Sequence, residues 1–237
     1  MSGHLAPNAS GSRASLAALV LGGRCPCGRA GASPCPACAA TARTGAPGPT
    51  PSGLDLLIAG RAYDGITREV VARVKYRNER AAIDWLVAPV VAGILARGVP
   101  LDDLTVTWAP TTDTRRRARG FDHAALLAAA VARSLGRGSR STLRRLDPHP
   151  QTGRARAARL AGPRFVALAA VRSPVLVVDD VLTTGGTLTA AARALRAAGA
   201  RTVLAACVAR TDGARARAAG HARNAPEPRS GPQGGDR

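Results

Sequence analysis

The apolar and polar positions divide the chain into a patterned middle and two unpatterned ends. Val175–Val178 is a continuous aliphatic run ending in two acids, the pattern of a strand buried on both faces of a parallel sheet. Beyond a short polar loop, Leu188, Ala191, Ala192 and Leu195 recur at helical spacing, with Gly199 as the stop. Val203–Ala209 is a second apolar run. Upstream, L-T-V-T-W-A over 104–109 predicts another strand, ended by Pro110-Thr111-Thr112. The segment from Arg115 to His123 then opens a helix whose apolar face includes Leu126, Leu127 and Val131. Residues 54–99 read as mainly helical, over Ile66–Tyr76 and Ala82–Leu95. Val70, Val74, Leu86, Val90 and Leu95 point inward in that reading, and A-Y-D-G-I around Tyr63 forms a short strand or turn. Phe165–Val171 leads into the strand at Val175. Strands alternating with helices imply a parallel sheet with right-handed crossovers, and a ligand site outside the carboxyl ends of the strands.

The remaining segments lack such periodicity. Residues 1–13 and the Gly/Pro/Arg-rich tail over 212–237 hold few core-forming positions and are expected to be disordered. Residues 14–43 form a cysteine-rich segment, and the Pro/Gly-rich stretch 44–53 is expected to be a linker at a domain boundary, leaving 54–211 as the main domain. Residues 136–164 are long, basic and poor in apolar positions. Such a segment is a functional lid or disordered, and as a lid Arg154, Arg156 and Arg159 would cover an anionic substrate.

Composition narrows the classes. The 237 residues are 46% hydrophobic but only 3% aromatic, so the core is built from Ala, Val and Leu. No apolar run reaches the roughly 18 residues of a membrane span, and 14–21 does not read as a signal peptide, so a cytoplasmic location is expected. The net charge is +19, and Lys75 is the only lysine among the 34 basic residues. Two readings of that excess stay open: a polyanionic partner, or an arginine-rich coding bias. Sparse aromatics argue against a base-stacking platform for single strands.

The candidate chemistry gathers in Asp179, Asp180, Val181, Leu182, Thr183, Thr184, Gly185, Gly186 and Thr187. Two carboxylates close a buried strand, and a loop rich in hydroxyls and glycine opens a helix. Backbone N–H groups and hydroxyls then converge at the positive end of a helix dipole, which suits a phosphate. The acids beside it suit the hydroxyls of a vicinal diol. Phosphate plus diol points to a ribose 5-phosphate. A Walker A loop is excluded because the single lysine lies in V-K-Y-R-N, and no G-x-G-x-x-G follows a strand pattern. The arginines of 115–119, ahead of a helix, make a second anion site or a solvated run. Lys75 sits between two helical patterns, where a solvated helix end is equally in keeping. His4, His149 and His221 fall in loops, and Cys207 reads as a small buried core residue.

Cys25, Cys27, Cys35 and Cys38 form two close pairs separated by seven residues in a segment without a core of its own. A four-thiolate Zn²⁺ knuckle fits that spacing and would supply folding energy, while free thiols or a disulfide remain open. Cys25-x-Cys27 is one residue tighter than the usual C-x-x-C.

The acid pair and T-T-G-G-T resemble the binding signature for 5-phosphoribosyl 1-diphosphate (PRPP) of type I phosphoribosyltransferases. The wider order of landmarks resembles the ComF family of competence-associated, phosphoribosyltransferase-like proteins. It runs from the cysteine pairs through Val74-Lys75-Tyr76, Arg119-Gly120-Phe121, Gln151 and V-D-D-V-L-T-T-G-G-T to Val208-Ala209-Arg210. The family's R-G-F-N-Q appears here as Arg119-Gly120-Phe121-Asp122-His123, and its P-x-P is reduced to Ala109-Pro110-Thr111.

The resemblance implies an α/β fold, a type I phosphoribosyltransferase-like parallel sheet flanked by helices, with a small N-terminal zinc-knuckle-like segment. It implies that Asp179 and Asp180 hold ribose hydroxyls and that residues 181–187 cradle the 5′-phosphate. Lys75, Arg115, Arg119, Gly120, Arg154 and Arg156 would approach the pyrophosphate, with Mg²⁺ bridging it. Single-stranded DNA or DNA-processing proteins are implied as partners, and a homodimer is admitted.

Overall fold

The computed structural model describes residues 24–146, 163–171 and 174–212. Its centre is a four-stranded, all-parallel sheet of β1 (Leu56–Ala62), β2 (Thr105–Trp108), β5 (Val175–Leu182) and β6 (Val203–Arg210), in the order β1-β6-β5-β2. Helices α2 (Gly65–Arg77), α3 (Ile83–Ala96) and α5 (His123–Ser134) pack on one face, and α6 (Gly186–Ala197) packs on the other. A separate antiparallel pair, β3 (Leu143–Leu146) and β4 (Arg164–Ala167), lies beside α6. Helices α1 (Pro36–Ala40) and α4 (Asp113–Arg119) and a single 3-10 turn, Arg80–Ala82, complete the described elements.

The apolar runs explain the layers. Leu176 and Val178 of β5 face α3 and α5, and Val175 and Val177 face α6, so both faces of the central strand are dry. Val203 to Ala209 of β6 are all buried, including Cys207 at 0% exposure, as its small-core reading expects. Leu188, Ala191, Ala192 and Leu195 form the buried stripe of α6, and Gly199 follows its end at φ +96°, a conformation open to glycine.

Several expectations need correction. Residues 54–99 are mainly helical, as expected, but they open with a full strand, Leu56–Ala62, at the sheet edge. L-L-I-A-G-R-A lacks a two-residue alternation, and Gly60 reads as a breaker. In the fold, a Cβ at Gly60 would stand 2.7 Å from the Val208 carbonyl oxygen, so glycine is what lets β1 approach β6 there. Leu95 is 56% exposed rather than inward; Leu86, Val90 and Ile94, spaced by four, form the buried stripe of α3. The arginine run does not precede a single helix but forms α4, which Gly120 closes at φ +76° before α5 begins. Within the basic stretch 136–164, Leu143–Leu146 is a strand rather than loop, buried through Leu143 and paired with Arg164–Ala167. The strand at Val175 runs on through both acids to Leu182, because β6 keeps pairing with it as far as Arg210.

Residues 43–53 lie along the domain. The Ala62 amide donates to Arg43 O at 2.9 Å and the Gly45 amide to Gly60 O at 3.2 Å, which covers the outer edge of β1. Arg210 Nη2 donates to Pro49 O at 3.2 Å, and Pro51 packs against Gly185. Asp55 accepts from the Val203 amide at 2.7 Å and from Arg196 at 2.6 Å, tying the entry of β1 to β6 and α6. The segments expected to be disordered over 1–13 and almost all of 212–237 lie outside the described residues.

Candidate functional site

The carboxyl ends of β5 and β2, the end of α2 and the start of α5 meet at one place. Parallel strands all leave the sheet at the same edge, so their following loops converge. Asp179 and Asp180 lie there, near the end of β5. Asp179 Oδ1 accepts from the Asp180 amide at 2.8 Å, and Asp180 Oδ1 accepts from the Val181 amide. Asp180 Oδ2 receives two further partners: Lys75 Nζ from α2 at 2.9 Å and His123 Nε2 from α5.

These contacts set the two acids apart. Burial, and then the charge of Asp180, push the Asp179 carboxyl up to about 8, so it is largely protonated at neutral pH. Burial also works against ionisation of Asp180, but the His123 hydrogen bond and the Lys75 charge outweigh it and hold that carboxyl below its ordinary range. One acid is thus a fixed anion and the other a group that can donate as well as accept.

The network continues outward. Arg119 Nη1 lies 3.2 Å from His123 Nδ1, and its guanidinium sits 4.9 Å from the centre of the Tyr76 ring. Asp122 braces the same corner: Oδ1 caps α5 through the Ala124 amide and Oδ2 accepts from the Thr111 amide, both at 3.1 Å. The loop after β2 is thereby pinned to the start of α5.

Past Leu182, the chain turns through Thr183 and Thr184, both exposed, into α6. Gly185 is the N-cap at φ +81° and no side chain caps the helix, so its first amides keep their donor capacity. With the hydroxyls of Thr183, Thr184 and Thr187 in the same turn, the arrangement suits an anion.

The expected site residues are gathered unevenly. Lys75, Arg119 and Asp180 come together with Asp179 beside them. Gly120 serves the turn between α4 and α5, its amide donating to Arg116 O at 2.8 Å. Arg115 donates its amide to Thr112 Oγ1 at 3.2 Å, and its side chain is exposed. Gln151, Arg154, Arg156 and Arg159 lie outside the described residues, as does His149. His123 stood out in the sequence only as a departure from the family's R-G-F-N-Q and was not among the expected site residues. Its signal was its position after an N-cap aspartate, where a helix start faces the ends of the strands. A cleft of about 300 Å³ adjoins this corner, lined by Trp108, Thr111, Asp122, Leu143, Arg144 and Leu168 among others.

The cysteines form a separate cluster. The sulfurs of Cys25, Cys27, Cys35 and Cys38 all lie within 4.8 Å of one another, with Cys27 and Cys35 3.8 Å apart. Tetrahedral Zn²⁺ with bonds of about 2.3 Å separates its sulfurs by about 3.8 Å, so the donor set fits that ion despite the tight first pair. Burial opposes ionisation of Cys25, but the amides of Cys35 and Cys27 bring its thiol down to about 6, while hydrogen bonds to Cys25, Cys27 and Cys35 push the Cys38 thiol up to about 12, so the cluster without metal favours a first thiolate and resists the last. Arg73 of α2 holds this segment by donating to Arg24 O at 2.8 Å.

Comparison with known proteins bears on the strand, loop and helix. Residues 172–227 match the model of the phosphoribosyl transferase domain. No curated protein matches the chain. Among solved structures, the chain is similar to an allosteric regulatory enzyme of purine biosynthesis, at 19% identity and a TM-score of 0.38, over 58% of this chain and 30% of that one. It is similar to a purine phosphoribosyltransferase from Pyrococcus horikoshii Ot3 at 16% identity and a TM-score of 0.34, over 55% of this chain and 75% of that one. For an APRTase from Giardia lamblia complexed with 9-deazaadenine, the values are 19% and 0.34, over 58% of this chain and 82% of that one. The chain thus spans less than a third of the first of these relatives. A parallel sheet flanked by helices, an N-terminal cysteine cluster and the domain match together give the expected phosphoribosyltransferase-like fold class. The strand, loop and helix that gather the acids and hydroxyls are the part of the chain that is similar to the phosphoribosyl transferase domain.

Proposed function

We propose that this protein binds PRPP as its magnesium complex and transfers the phosphoribosyl group to an acceptor nucleophile. The observation that carries this reading is the continuity of the acid pair at the end of β5 with the uncapped, hydroxyl-rich start of α6. Diol acceptors and phosphate donors lie on one stretch of chain, three to eight residues apart in sequence, as a ribose 5-phosphate requires. The match over 172–227 supports it.

In this reading Asp179 and the forward oxygen of Asp180 take the ribose hydroxyls, and the turn from Thr183 to Thr187 takes the 5′-phosphate. Lys75 and Arg119 face the pyrophosphate, whose charge the bound Mg²⁺ also neutralises. The bond from C1 to the pyrophosphate oxygen breaks, the bond from C1 to the acceptor forms, and the acceptor releases a proton. Positioning and charge stabilisation supply the catalysis, and no protein nucleophile is needed. Zn²⁺ on the four cysteines would be structural, in a segment that Arg73 ties to α2.

Calorimetry with Mg-PRPP tests the binding, and pyrophosphate release with a panel of bases and amines tests the transfer. We expect saturable binding by the wild type, weakened about tenfold or more in Asp179→Asn/Asp180→Asn, since each lost hydrogen bond to a charged group is worth about 1.5–3 kcal/mol. Absence of binding by the wild type would overturn the reading. The ComF resemblance further suggests a role beside DNA uptake. Salt-dependent binding to single-stranded DNA that is lost on deleting residues 1–45 would support that partner, and its absence would end it.

A further inference from the structure

The acid pair does not stand alone: one oxygen of Asp180 is saturated before any ligand arrives. Oδ2 receives Lys75 Nζ and His123 Nε2, and Oδ1 receives the Val181 amide. A carboxylate oxygen has two lone pairs, so the remaining acceptor site is on Oδ1. The rotamer of Asp180 decides where that site points, and two side chains from two different helices fix the rotamer.

The proton on His123 follows from its neighbours. A guanidinium has donors and no acceptor, so His123 Nδ1, 3.2 Å from Arg119 Nη1, must accept. Nε2 therefore carries the hydrogen and gives it to Asp180. The imidazole is 7% exposed, and water cannot substitute readily for either partner. Arg119 is in turn placed by Tyr76, which neighbours Lys75 on α2.

We propose that His123 is a positioning residue for PRPP binding: as an imidazole carrying its hydrogen on Nε2, it holds Asp180 by Oδ2 so that Oδ1 faces the ribose hydroxyls, and it links Oδ2 to Arg119. The inference rests on the phosphoribosyl reading of the site and adds to it a residue that does not touch the sugar. The charged and titratable groups around the imidazole are Lys75 and Tyr76 from α2, Arg119 from α4, Asp122 from α5, and Asp179 and Asp180 from β5. Gln at 123 offers an amide N–H to Asp180 and an oxygen to Arg119, and it does not titrate.

Two measurements on the full chain test this. In the histidine-¹⁵N-labelled protein, two-bond ¹H–¹⁵N correlation at about pH 7.5 reports the tautomer of each of the four histidines, and loss of one signal set in His123→Gln assigns the residue. An Nε2–H form is expected; an Nδ1–H or doubly protonated ring overturns the proposal. Calorimetry with Mg-PRPP at about pH 7.5 then compares His123→Ala and His123→Gln with the wild type. His123→Ala is expected to bind about tenfold more weakly and His123→Gln within about threefold of the wild type. Equal affinities for all three, or a His123→Gln variant as weak as His123→Ala, overturn the proposal. Failure of the wild type to bind removes the phosphoribosyl reading and the ligand this network serves, while the tautomer assigns or refutes the network separately.

Discussion

Lys75 Nζ stands 2.9 Å from Asp180 Oδ2, joining the last turn of α2 to the end of β5 with side chains 18% and 12% exposed. The pair crosses from a helix that follows the edge strand β1 to the middle of the sheet, and it sits where all four parallel strands end. Lys75 is also the only lysine of the chain, so an amine-reactive acylating reagent has one side-chain target. A protonated amine held by a carboxylate is a poor nucleophile. Mass spectrometry should find Lys75 acylated more slowly than an exposed lysine in a reference peptide, and faster in Asp180→Asn. Saturating Mg-PRPP should slow it further; acylation that ignores Mg-PRPP would argue against Lys75 lying near the ligand.

Removing the amine leaves Asp180 with the His123 hydrogen bond but without a cation. Lys75→Met keeps most of the packing of the stem and should destabilise the fold by roughly 1–3 kcal/mol, less than full loss of a buried ion pair because His123 remains. Denaturant titration of both proteins checks this. A variant as stable as the wild type would mean that the ion pair contributes nothing net, as exposed pairs often do.

Asp179 carries the opposite liability. Its folded-state carboxyl, raised by burial and by Asp180 to about 8, ionises far above its unfolded value of 3.8. The unfolded chain therefore releases this proton first as pH rises. The stability contributed by neutral Asp179 is fully present below about pH 4 and is lost as pH rises through about 8. Asp179→Asn removes that loss, so it should gain stability relative to the wild type between those limits, by roughly 1–3 kcal/mol near neutrality, while losing affinity for Mg-PRPP. Thermal unfolding at a series of pH values reads the difference. A constant gap across pH would show that Asp179 does not titrate in this way.

Gly185 joins backbone strain to a close contact. It caps α6 at φ +81°, and a Cβ there would lie 2.7 Å from Pro51 Cγ. Gly185→Ala should cost about 1–3 kcal/mol, from the left-handed backbone and the displaced proline. Pro51→Ala in the same chain should recover the steric part and leave the backbone part. A fully additive double variant would separate Pro51 from the loop.

The cysteine cluster predicts its metal. Purified protein should carry about one equivalent of zinc by elemental analysis, and Cys35→Ser should lose it. Because Arg73 ties the cluster to α2, strong chelation should also raise hydrogen exchange in the last turns of that helix, around Lys75. Metal loss with unchanged exchange would make the knuckle independent of the site.

Much of this molecule was legible before folding was considered. Val175–Val178 and Val203–Ala209 declare buried parallel strands because no polar side chain interrupts them, and the stripe Leu188, Ala191, Ala192, Leu195 declares a helix by spacing alone. The chemistry of Asp179 to Thr187 is local as well: acids, hydroxyls and glycines adjacent in sequence stay adjacent in space. Cys25, Cys27, Cys35 and Cys38 are near enough along the chain for their clustering to be anticipated.

Other features belong to the tertiary structure. Leu56–Ala62 is a strand because β6 offers it a partner and Gly60 permits the approach to Val208, and that partner lies far along the chain. Leu143–Leu146 pairs with Arg164–Ala167 across a long separation, in a segment whose arginines mask its pattern. Above all, Lys75, Arg119, His123 and Asp180 come from four elements spread over more than a hundred positions. Sequence fixes what each side chain can donate or accept, since that is a property of one residue. Which donor meets which acceptor depends on where parallel strands end and helices begin, and only the folded sheet places Lys75 and His123 on the same carboxylate oxygen.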